Sequence, residues 1–299
     1  MPHFLLWLLC FVEQTNNTTP VGGNVHMGIT REDDEMKPIK ITLPETLESI
    51  ELHIFADEHI GDENCDLPRL RERIKYVAEK ENAFCVLNGD IIDNATRTSI
   101  GDCYSGATPM EQMKEAMALF EPLKDKILCI TQGNHEARTY RKEGIDLSYM
   151  LAAQLGLTDR YTPTSAVLFL RFGKQKGGLR ESNGSGKVRK VCYSVFLLHG
   201  SGGGRKEGAK AIRLADMASI IDADIYIHSH THLPMIMKQG FYRIDVRNST
   251  VDFVNKLFVN TAANLNFGGY GEAQEFKPAS KDTPVIYLSG TKKDFSAKL

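Results

Sequence analysis

The sequence contains no C-x-x-C pair and no internal repeat, and its N-terminal apolar run is too short to cross a membrane as a helix. Its six cysteines are scattered along the chain. Cys85, Cys129 and Cys192 lie inside apolar, strand-like runs, where a thiol is usually a small core residue. This spacing argues against a disulfide framework and favours reduced cysteines in a cytosolic protein.

The chain also lacks a strong net charge of either sign. A formal net charge of −2 over 299 residues gives no general attraction to nucleic acid or to an anionic membrane. A nucleic-acid substrate is still allowed, because bound metal ions can supply local positive charge. Hydrophobic residues make up 42% and charged residues 25%, which is typical of a soluble globular protein. We therefore expect no stable membrane association.

The first stretch of the chain differs from the rest. Residues 4–12 are apolar and resemble the core of a signal peptide, but a charged n-region and a clean cleavage site are lacking. The sequence ahead of Met36 is compatible with a ribosome-binding site in the DNA, which suggests a start codon assigned too far upstream. We expect residues 1–36 to be a disordered leader or a mis-assigned start, and residues 37–299 to form a single domain. The expected location is cytoplasmic, with secretion the alternative if the apolar run is a real signal peptide.

From residue 50 onwards, short apolar runs alternate with amphipathic segments. The apolar runs are predicted strands, at residues 50–56, 83–87, 127–130, 166–172, 188–198 and from 225. The amphipathic segments are predicted helices, at residues 67–81, 109–120, 146–155 and 209–221. This alternation predicts an α/β fold with a parallel-type sheet, followed by hairpin-like strands. The segment 173–187, rich in glycine and basic residues, is predicted to be a solvated loop, with steering of a phosphate-bearing ligand as the alternative.

The tetrapeptide Gly133-Asn134-His135-Glu136 directly follows one of these strands. Open α/β sheets place their chemistry just beyond the carboxyl ends of such strands. Asn134 offers a neutral oxygen ligand and His135 an imidazole, so one short loop supplies a metal ligand and a proton donor. Because Gly-Asn is also an ordinary turn signal, the tetrapeptide by itself does not identify a site.

Polar residues follow four other apolar runs in the same way. The five positions are Asp57-x-His59, Gly89-Asp90, Asn134-His135, His199 and His230-x-His232. In extended chain, residues two apart point to the same side. We therefore expect Asp57 with His59, and His230 with His232, each to present two ligands together. Aspartate, asparagine and histidine without a thiolate suit Mn, Fe or Zn. A capping or surface role is the alternative for any single member, but the ordered set predicts a metal site.

The ordered motifs Asp-x-His, Gly-Asp-x-x-Asp, Gly-Asn-His-Glu, His and His-x-His resemble those of the calcineurin-like metallophosphoesterase superfamily, over about residues 50–234. The resemblance implies a four-layered αββα sandwich with two mixed β-sheets and a centre of two divalent metal ions, with Mn favoured. One ion would be held by Asp57, His59, Asp90 and His232, and the other by Asp90, Asn134, His199 and His230. His135 would stand beside the leaving-group oxygen rather than bind a metal.

Two residues depart from the family pattern. Ser229 stands where the family usually has glycine, and Glu58 is charged where the family often has a small or apolar residue. Neither departure removes a ligand. His228 is not expected to bind metal, because the closing His-x-His-x-Pro pattern, which ends at Pro234, is met with His230 and His232 as the ligands.

The implied activity is hydrolysis of phosphoesters, in which a metal-bridging hydroxide attacks phosphorus, and a phosphodiesterase is the favoured form. His135, when protonated, would donate to the departing alkoxide, with Asp90 bridging the ions. Two further acidic residues, Asp93 and Glu136, are expected to orient ligands. Candidate substrate-binding residues are Arg138 and Arg141 for a phosphate oxygen and Tyr270 for the organic group, against the alternative of exposed arginines and a turn tyrosine.

The sequence leaves the substrate class open. A DNA-repair-type nuclease, a phosphomonoesterase and a protein phosphatase share the same core, and a non-catalytic binding protein is a remote alternative. Every ligand position is filled, which argues against loss of catalysis. The expected partner is a phosphoester substrate, a nucleotide or nucleic acid included. The sequence does not give the oligomeric state.

Overall fold

A computed structural model describes residues 36, 38–96, 99, 106–173, 190–202, 204, 206–268, 272, 275 and 277–299. Residues 36–299 belong to one compact unit. The expected leader before Met36, nearly all of the basic loop predicted at 173–187, and Tyr270 lie outside the described residues. The predictions made for these three parts of the chain therefore stay predictions.

The described strands form two mixed sheets of six strands each. The first sheet contains, in spatial order, β1 (Pro38–Thr42), β6 (Ser165–Arg171), β7 (Cys192–Leu198), β8 (Ile225–His228), β10 (Thr250–Asn260) and β9 (Met235–Asp245). The second contains β12 (Phe295–Lys298), β11 (Val285–Ser289), β2 (Ser49–Phe55), β3 (Ala83–Asn88), β4 (Ile127–Thr131) and β5 (Tyr161–Thr162). Strands β2 to β5 run parallel, as do β7, β8 and β10, so their carboxyl ends point the same way within each sheet.

Helices cover the outer faces of both sheets. They are α1 (Leu67–Glu79), α2 (Pro109–Phe120), α3 (Asn134–Glu143), α4 (Leu147–Gln154) and α5 (Glu207–Ile220). Asp66 caps α1 and Thr108 caps α2, each accepting a hydrogen bond from a backbone N–H of the first turn, which is the role that their side chains favour. None of the helices in the described part of the chain is long and apolar enough to span a membrane.

Three apolar clusters separate these layers. The largest lies between the two sheets and includes Leu52, Ile54, Leu168 and Ile227. A second cluster packs α1, α2 and α4 on the second sheet, and a third packs α5 on the first sheet around Phe258. The predicted four-layered αββα sandwich with two mixed sheets is therefore confirmed.

The first predicted strand, at residues 50–56, is the second one in the structure, because β1 precedes it and joins the first sheet. Buried Ile39 and half-buried Ile41 alternate with exposed residues, but β1 has only five residues, so the local signal is short. The strand forms because it pairs in parallel with β6, from Pro38 opposite Val167 to Thr42 opposite Arg171. Such a non-local ladder leaves little trace in a short window of sequence.

The prediction that Asn134 and His135 lie in a loop is wrong, because both residues belong to α3. Gly133 is the N-cap, and the carboxylate of Glu136 accepts a hydrogen bond from its backbone N–H at 3.1 Å. Within α3 only Glu136 and Ala137 are buried, so this helix lacks the apolar stripe by which a helix is normally detected. Asn134 is consequently the first helical residue rather than a loop residue. The other predicted helices and strands agree to within a few residues.

Candidate metal centre

The candidate site lies where the carboxyl ends of five strands meet. Asp57 and His59 follow β2, Asp90 follows β3, and Asn134 follows β4, all in the second sheet. The remaining ligand candidates follow strands of the first sheet, with His199 after β7 and with His230 and His232 after β8. Both sheets therefore contribute to one site, at the edge where α/β sheets carry their chemistry.

The backbone of these loops is unusual. Asp57, His59, Asp90, His230 and His232 all have positive φ, between 48° and 66°. Non-glycine residues rarely adopt this left-handed conformation, and where they do the strain often marks a functional site. The expectation that paired ligands meet through extended chain is therefore wrong, because tight left-handed turns bring them together instead.

One group of ligand atoms comes from Asp57, His59 and His232, and these atoms lie within 4.8 Å of one another. His232 Nε2 is 3.3 Å from Asp57 Oδ1. The Nε2 atom of His59 is buried and has no hydrogen-bond partner among the described residues. An imidazole nitrogen in this state fits a metal ligand, because a buried polar atom otherwise needs a partner.

A second group of ligand atoms comes from Asp90, His199 and His230, again within 4.8 Å. His199 Nε2 is 3.1 Å from Asp90 Oδ2 and 3.2 Å from Asn134 Oδ1. Asp90 also belongs to a third group, with His59 and His135. It therefore links the second group to His59 of the first group. The structure thus brings all seven predicted ligands together, with a carboxylate in the shared position.

The protonation of the histidines also suits metal ligation. Burial lowers the pKa of His59 to about 3 and that of His230 to about 4, so both rings are neutral near pH 7 and keep a free lone pair. Burial opposes protonation of His199 as well, but the carboxylate of Asp90 outweighs it and raises the pKa of His199 to about 10. A divalent cation beside these carboxylates would take the place of the proton on His199.

The two carboxylates stay ionised at neutral pH. Burial would raise the pKa of Asp57, but the imidazoles of His232 and His199 prevail and hold it at about 2. Burial acts in the same way on Asp90, whose pKa is lowered mainly by His199. Two fully buried negative charges so close together need positive charge beside them, which is what a pair of divalent cations supplies.

Glu136 holds the second-sheet loops in place. Its buried carboxylate accepts hydrogen bonds from the backbone N–H groups of Asp90, Ile91, Ile92 and Gly133, at 2.7 to 3.1 Å. The two loops also approach each other closely at Gly89 and Gly133. A Cβ atom at Gly89 would lie 2.6 Å from the Gly133 backbone, so a side chain there would clash. One buried carboxylate therefore fixes the loop that carries Asp90 against the helix that carries Asn134.

Asn260 holds the histidine-bearing loop of the first sheet. Its side-chain amide donates to Thr231 Oγ1 at 2.9 Å and to the Leu233 carbonyl at 2.6 Å, and its Oδ1 accepts from His228 Nδ1 at 2.7 Å. The neighbouring Thr261 hydroxyl donates to Asp57 Oδ2 at 3.1 Å. His228 is thus a buried support beneath the loop.

The two departures from the family pattern have visible partners. Ser229 Oγ accepts a hydrogen bond from the Asn88 amide at 2.7 Å, while Asn88 Oδ1 accepts from the Thr131 hydroxyl at 2.8 Å. Asn88 therefore joins the two sheets directly beneath the site. Glu58 is buried and is paired with Arg73 at 2.8 Å, although burial raises the pKa of this carboxyl. Sequence inspection missed Asn88 and Asn260, because the partners that define their roles are distant in the chain.

His135 stands beside the metal-ligand cluster. Its backbone N–H donates to Asp90 Oδ1 at 2.8 Å, and its ring Nδ1 donates to the Asp93 carbonyl oxygen at 2.5 Å. Burial opposes protonation, but the Asp93 side chain, 3.3 Å from Nδ1, raises the pKa of the ring. The other ring nitrogen, Nε2, lies 2.9 Å from Arg138 Nη2 and 3.8 Å from Asp90 Oδ2.

The three candidate substrate residues have different positions. Arg138 is half-buried against His135, whereas Arg141, one turn further along α3, is exposed. Tyr270 lies outside the described residues. A residue missed by sequence reasoning is Lys210 of α5, whose Nζ donates to the Thr231 carbonyl at 2.7 Å, between the ligand candidates His230 and His232.

Comparison with protein families gives one match, to the calcineurin-like phosphoesterases, over residues 52–234. This range covers more than half of the chain and contains all seven ligand candidates. No curated protein matches the sequence at a significant level.

Solved structures with a similar fold have low sequence identity to this chain. A predicted phosphoesterase of Streptococcus pneumoniae is 13% identical with a TM-score of 0.34, and the match covers 84% of this chain and 90% of that one. Vps29 of Entamoeba histolytica in complex with zinc is 11% identical with a TM-score of 0.34, over 83% and 97%. The nuclease MPE of Pseudomonas putida is 14% identical with a TM-score of 0.31, over 83% and 87%.

Proposed function

The chain belongs to the calcineurin-like phosphoesterase family, and we propose that it hydrolyses phosphodiesters with the help of two divalent metal ions. The observation that supports this most strongly is the convergence of ligand atoms from five strand ends. Two groups of these atoms, around Asp57 and around His199, share no member, and Asp90 of the second group also lies near His59 of the first. Two ligand groups joined by one carboxylate form the donor set of a two-metal site.

In this proposal one ion is held by Asp57, His59, Asp90 and His232, and the other by Asp90, Asn134, His199 and His230. When bound, such ions lower the pKa of a coordinated water and neutralise charge on the phosphate oxygens. Oxygen and imidazole donors without a thiolate suit Mn, Fe or Zn, and we propose Mn.

His135 is the proposed general acid. Its Nδ1–H is held by the Asp93 carbonyl, so the ring is oriented, and a substrate oxygen would reach Nε2 by displacing its contact with Arg138. The Asp93 carboxylate raises the pKa of the ring and so favours the protonated form that can donate to a leaving oxygen. Half-burial of His135 leaves it accessible from solvent.

Arg138 is the proposed phosphate-binding residue. Its Nη2 lies 2.9 Å from His135 Nε2, so a phosphate oxygen that enters between them can accept a hydrogen bond from each. The guanidinium of Arg138 suits the one negative charge of a phosphodiester. A phosphomonoester carries up to two charges near neutral pH. This difference supports the diester proposal over the phosphomonoesterase and protein phosphatase alternatives.

The proposal is tested with purified chain stripped of metal and then supplied with Mn, Zn, Fe or Mg. Hydrolysis of bis(p-nitrophenyl) phosphate is compared with hydrolysis of p-nitrophenyl phosphate, and a single-stranded oligonucleotide is added to detect nuclease activity. We expect metal-dependent hydrolysis of the diester to exceed that of the monoester by at least roughly tenfold. Faster monoester hydrolysis would reject the diester assignment, and absence of metal binding would reject the two-metal site.

Two variants separate the proposed roles. Asp90→Asn should lose both metal and activity, because it removes the shared carboxylate. His135→Ala should keep the metal content and lower turnover by roughly 10²–10⁴-fold, the usual contribution of a general acid. The loss should shrink for substrates with good leaving groups, which need little protonation. An equal loss across leaving groups would assign His135 to ligand orientation instead.

A further inference from the structure

The hairpin of β9 and β10 is longer than the sheet to which it belongs. β9 and β10 pair along their whole length, from Met235 opposite Asn260 to Asp245 opposite Thr250. The next strand of the sheet, β8, pairs with β10 only over residues 257–260. The remainder, residues 239–256, is therefore a two-stranded ribbon, which we call the arm. A two-stranded ribbon alone is marginally stable in water.

One face of the arm is apolar and exposed. Tyr242 lies opposite Phe253 and Ile244 lies opposite Val251, so these four side chains share a face. Together with Val246 at the tip, they are 61% to 84% exposed. The rings of Tyr242 and Phe253 contact each other edge to face at 5.6 Å. The exposed side chains therefore form a continuous apolar surface rather than scattered single residues.

This apolar face continues the face on which the two sheets pack. Further along β10, Leu257 and Val259 lie on the same face and are buried between the sheets. The second sheet ends at β12, where Lys238 extends over the Phe295 ring. Beyond that point the arm still has an apolar face, but no part of the second sheet among the described residues packs against it.

The opposite face of the arm is held by the chain itself. Phe241 packs against the cluster under α5. Asp222 binds Arg243 at 3.2 Å and Lys256 at 2.5 Å, and the Lys256 ammonium lies over the Phe241 ring. The exposed face is therefore presented by an anchored ribbon and does not result from a detached hairpin.

We propose that a second copy of this chain covers the apolar face, with the two arms stacked face to face about a two-fold axis. The five side chains expose on the order of 600 Å², at the upper end of the largest patch on a typical monomer. Doubled across a two-fold interface, this area reaches about 1,200 Å², the lower limit of a specific interface.

The chemistry of the patch also favours a second copy over a charged partner. The arm's two charged cross-strand partners, Arg243 and Asp252, lie on the opposite face, so the apolar patch itself has no charge to select an acidic or basic protein. A two-fold axis sets each aromatic pair against an identical pair, which makes the contact self-complementary. The arm runs away from the loop of His230 and His232, so stacking leaves the metal centre open.

The test is sedimentation of the full-length protein over a hundredfold range of concentration. We expect the wild type to sediment as a dimer, and Ile244→Glu to sediment as a monomer with unchanged metal content and activity per chain. The matched control is Ile212→Glu on α5. It places the same charge at an isoleucine whose exposure, 63%, is similar to the 72% of Ile244. This control should stay dimeric. Tyr242→Lys is the second variant, should Ile244→Glu fail to fold.

Hydroxyl-radical footprinting of Tyr242 and Phe253 completes the test. In the dimer both rings should be protected, and Ile244→Glu should expose them. A monomeric wild type with exposed rings would overturn the proposal, because the face would then be free. A monomeric wild type with protected rings would also overturn it, by showing that the same chain covers the face. A dimer that survives both Ile244→Glu and Tyr242→Lys would place the interface elsewhere.

Discussion

The two halves of the metal centre are held by different chemistry. In the second-sheet half, the loops that carry Asp90 and Asn134 are tied by the carboxylate of Glu136, which accepts four backbone N–H groups. In the first-sheet half, the loop that carries His230 and His232 is tied by the neutral amide of Asn260. The tight turns after β3 and β4 point N–H groups inward, so an acceptor suffices. The turn after β8 presents acceptors to Asn260 and the His228 ring at the end of β8 presents a donor, so an amide is suited to both.

The difference predicts unequal sensitivity to mutation. Removal of Glu136 leaves four buried donors without their partner, and each unpaired buried group costs about 1–3 kcal/mol. Removal of Asn260 also affects four groups, but three of them are acceptors, and the Thr231 hydroxyl can rotate toward another partner. We therefore expect the second-sheet half to be the more fragile one.

Glu136→Ala should have the largest effect. We expect the free energy of unfolding to fall by about 4 kcal/mol or more, because four buried N–H groups each lose a partner at a cost of about 1–3 kcal/mol. Both ions should be lost, because Asp90 is shared between them. Denaturant unfolding and metal-content analysis measure the two effects. Glu136→Gln should lose less stability, because its remaining carbonyl oxygen still accepts hydrogen bonds from some of the N–H groups. A fall below about 1 kcal/mol for Glu136→Ala would contradict this account of the loops.

Asn260→Ala should have an intermediate effect, about 1–3 kcal/mol in the free energy of unfolding. Metal affinity should weaken through His230 and His232, while Asp57 and His59 keep their positions. The matched control is Asn82→Ala, which removes a single hydrogen bond of 3.3 Å to the Ser49 carbonyl. If the two variants lose equal stability and bind metal equally well, Asn260 does not position the histidine loop.

Arg138→Ala should act on substrate rather than on folding. We expect kcat/KM for the diester to fall by roughly tenfold to a hundredfold, since the phosphate loses one charge-assisted hydrogen bond. Arg141→Ala on the same helix should leave kcat/KM unchanged, because that side chain is exposed. Steady-state kinetics with metal content measured in parallel separates the two variants. A similar loss in both would assign their effect to the charge of α3 as a whole.

Ser229→Gly should have the smallest effect, about 1 kcal/mol in the free energy of unfolding. The change restores the family's usual residue but removes the acceptor of the Asn88 amide, at the place where the two halves meet. Metal binding should persist, because Asn88 still donates to the Leu198 carbonyl at 3.3 Å. A gain in stability would show that the backbone prefers glycine there more strongly than Asn88 needs its partner.

Local patterns predicted much of this molecule. Apolar runs that stop at Asp57, Asp90 and Asn134 gave both the strands and the edge where the ligands meet, because a buried strand and its polar end are adjacent in sequence. The resemblance to a known family added the assignment of ligands to two ions, which spacing by itself left open.

The parts that sequence reading missed depend on distant contacts. β1 forms on β6, and α3 is held mainly through Glu136 rather than by an apolar stripe. Asn88 reaches Ser229 across the two sheets, and no local pattern marks either residue as a support. The left-handed turns at Asp57 and His230 were missed because these residues ordinarily adopt negative φ.

The most direct test of the two-metal account is anomalous X-ray diffraction from crystals grown with Mn, recorded above and below its absorption edge. The account predicts two anomalous peaks in each chain, both in contact with Asp90. One should also contact His59 and His232, and the other should contact Asn134 and His199. A single peak, or a pair of peaks away from Asp90, would contradict it.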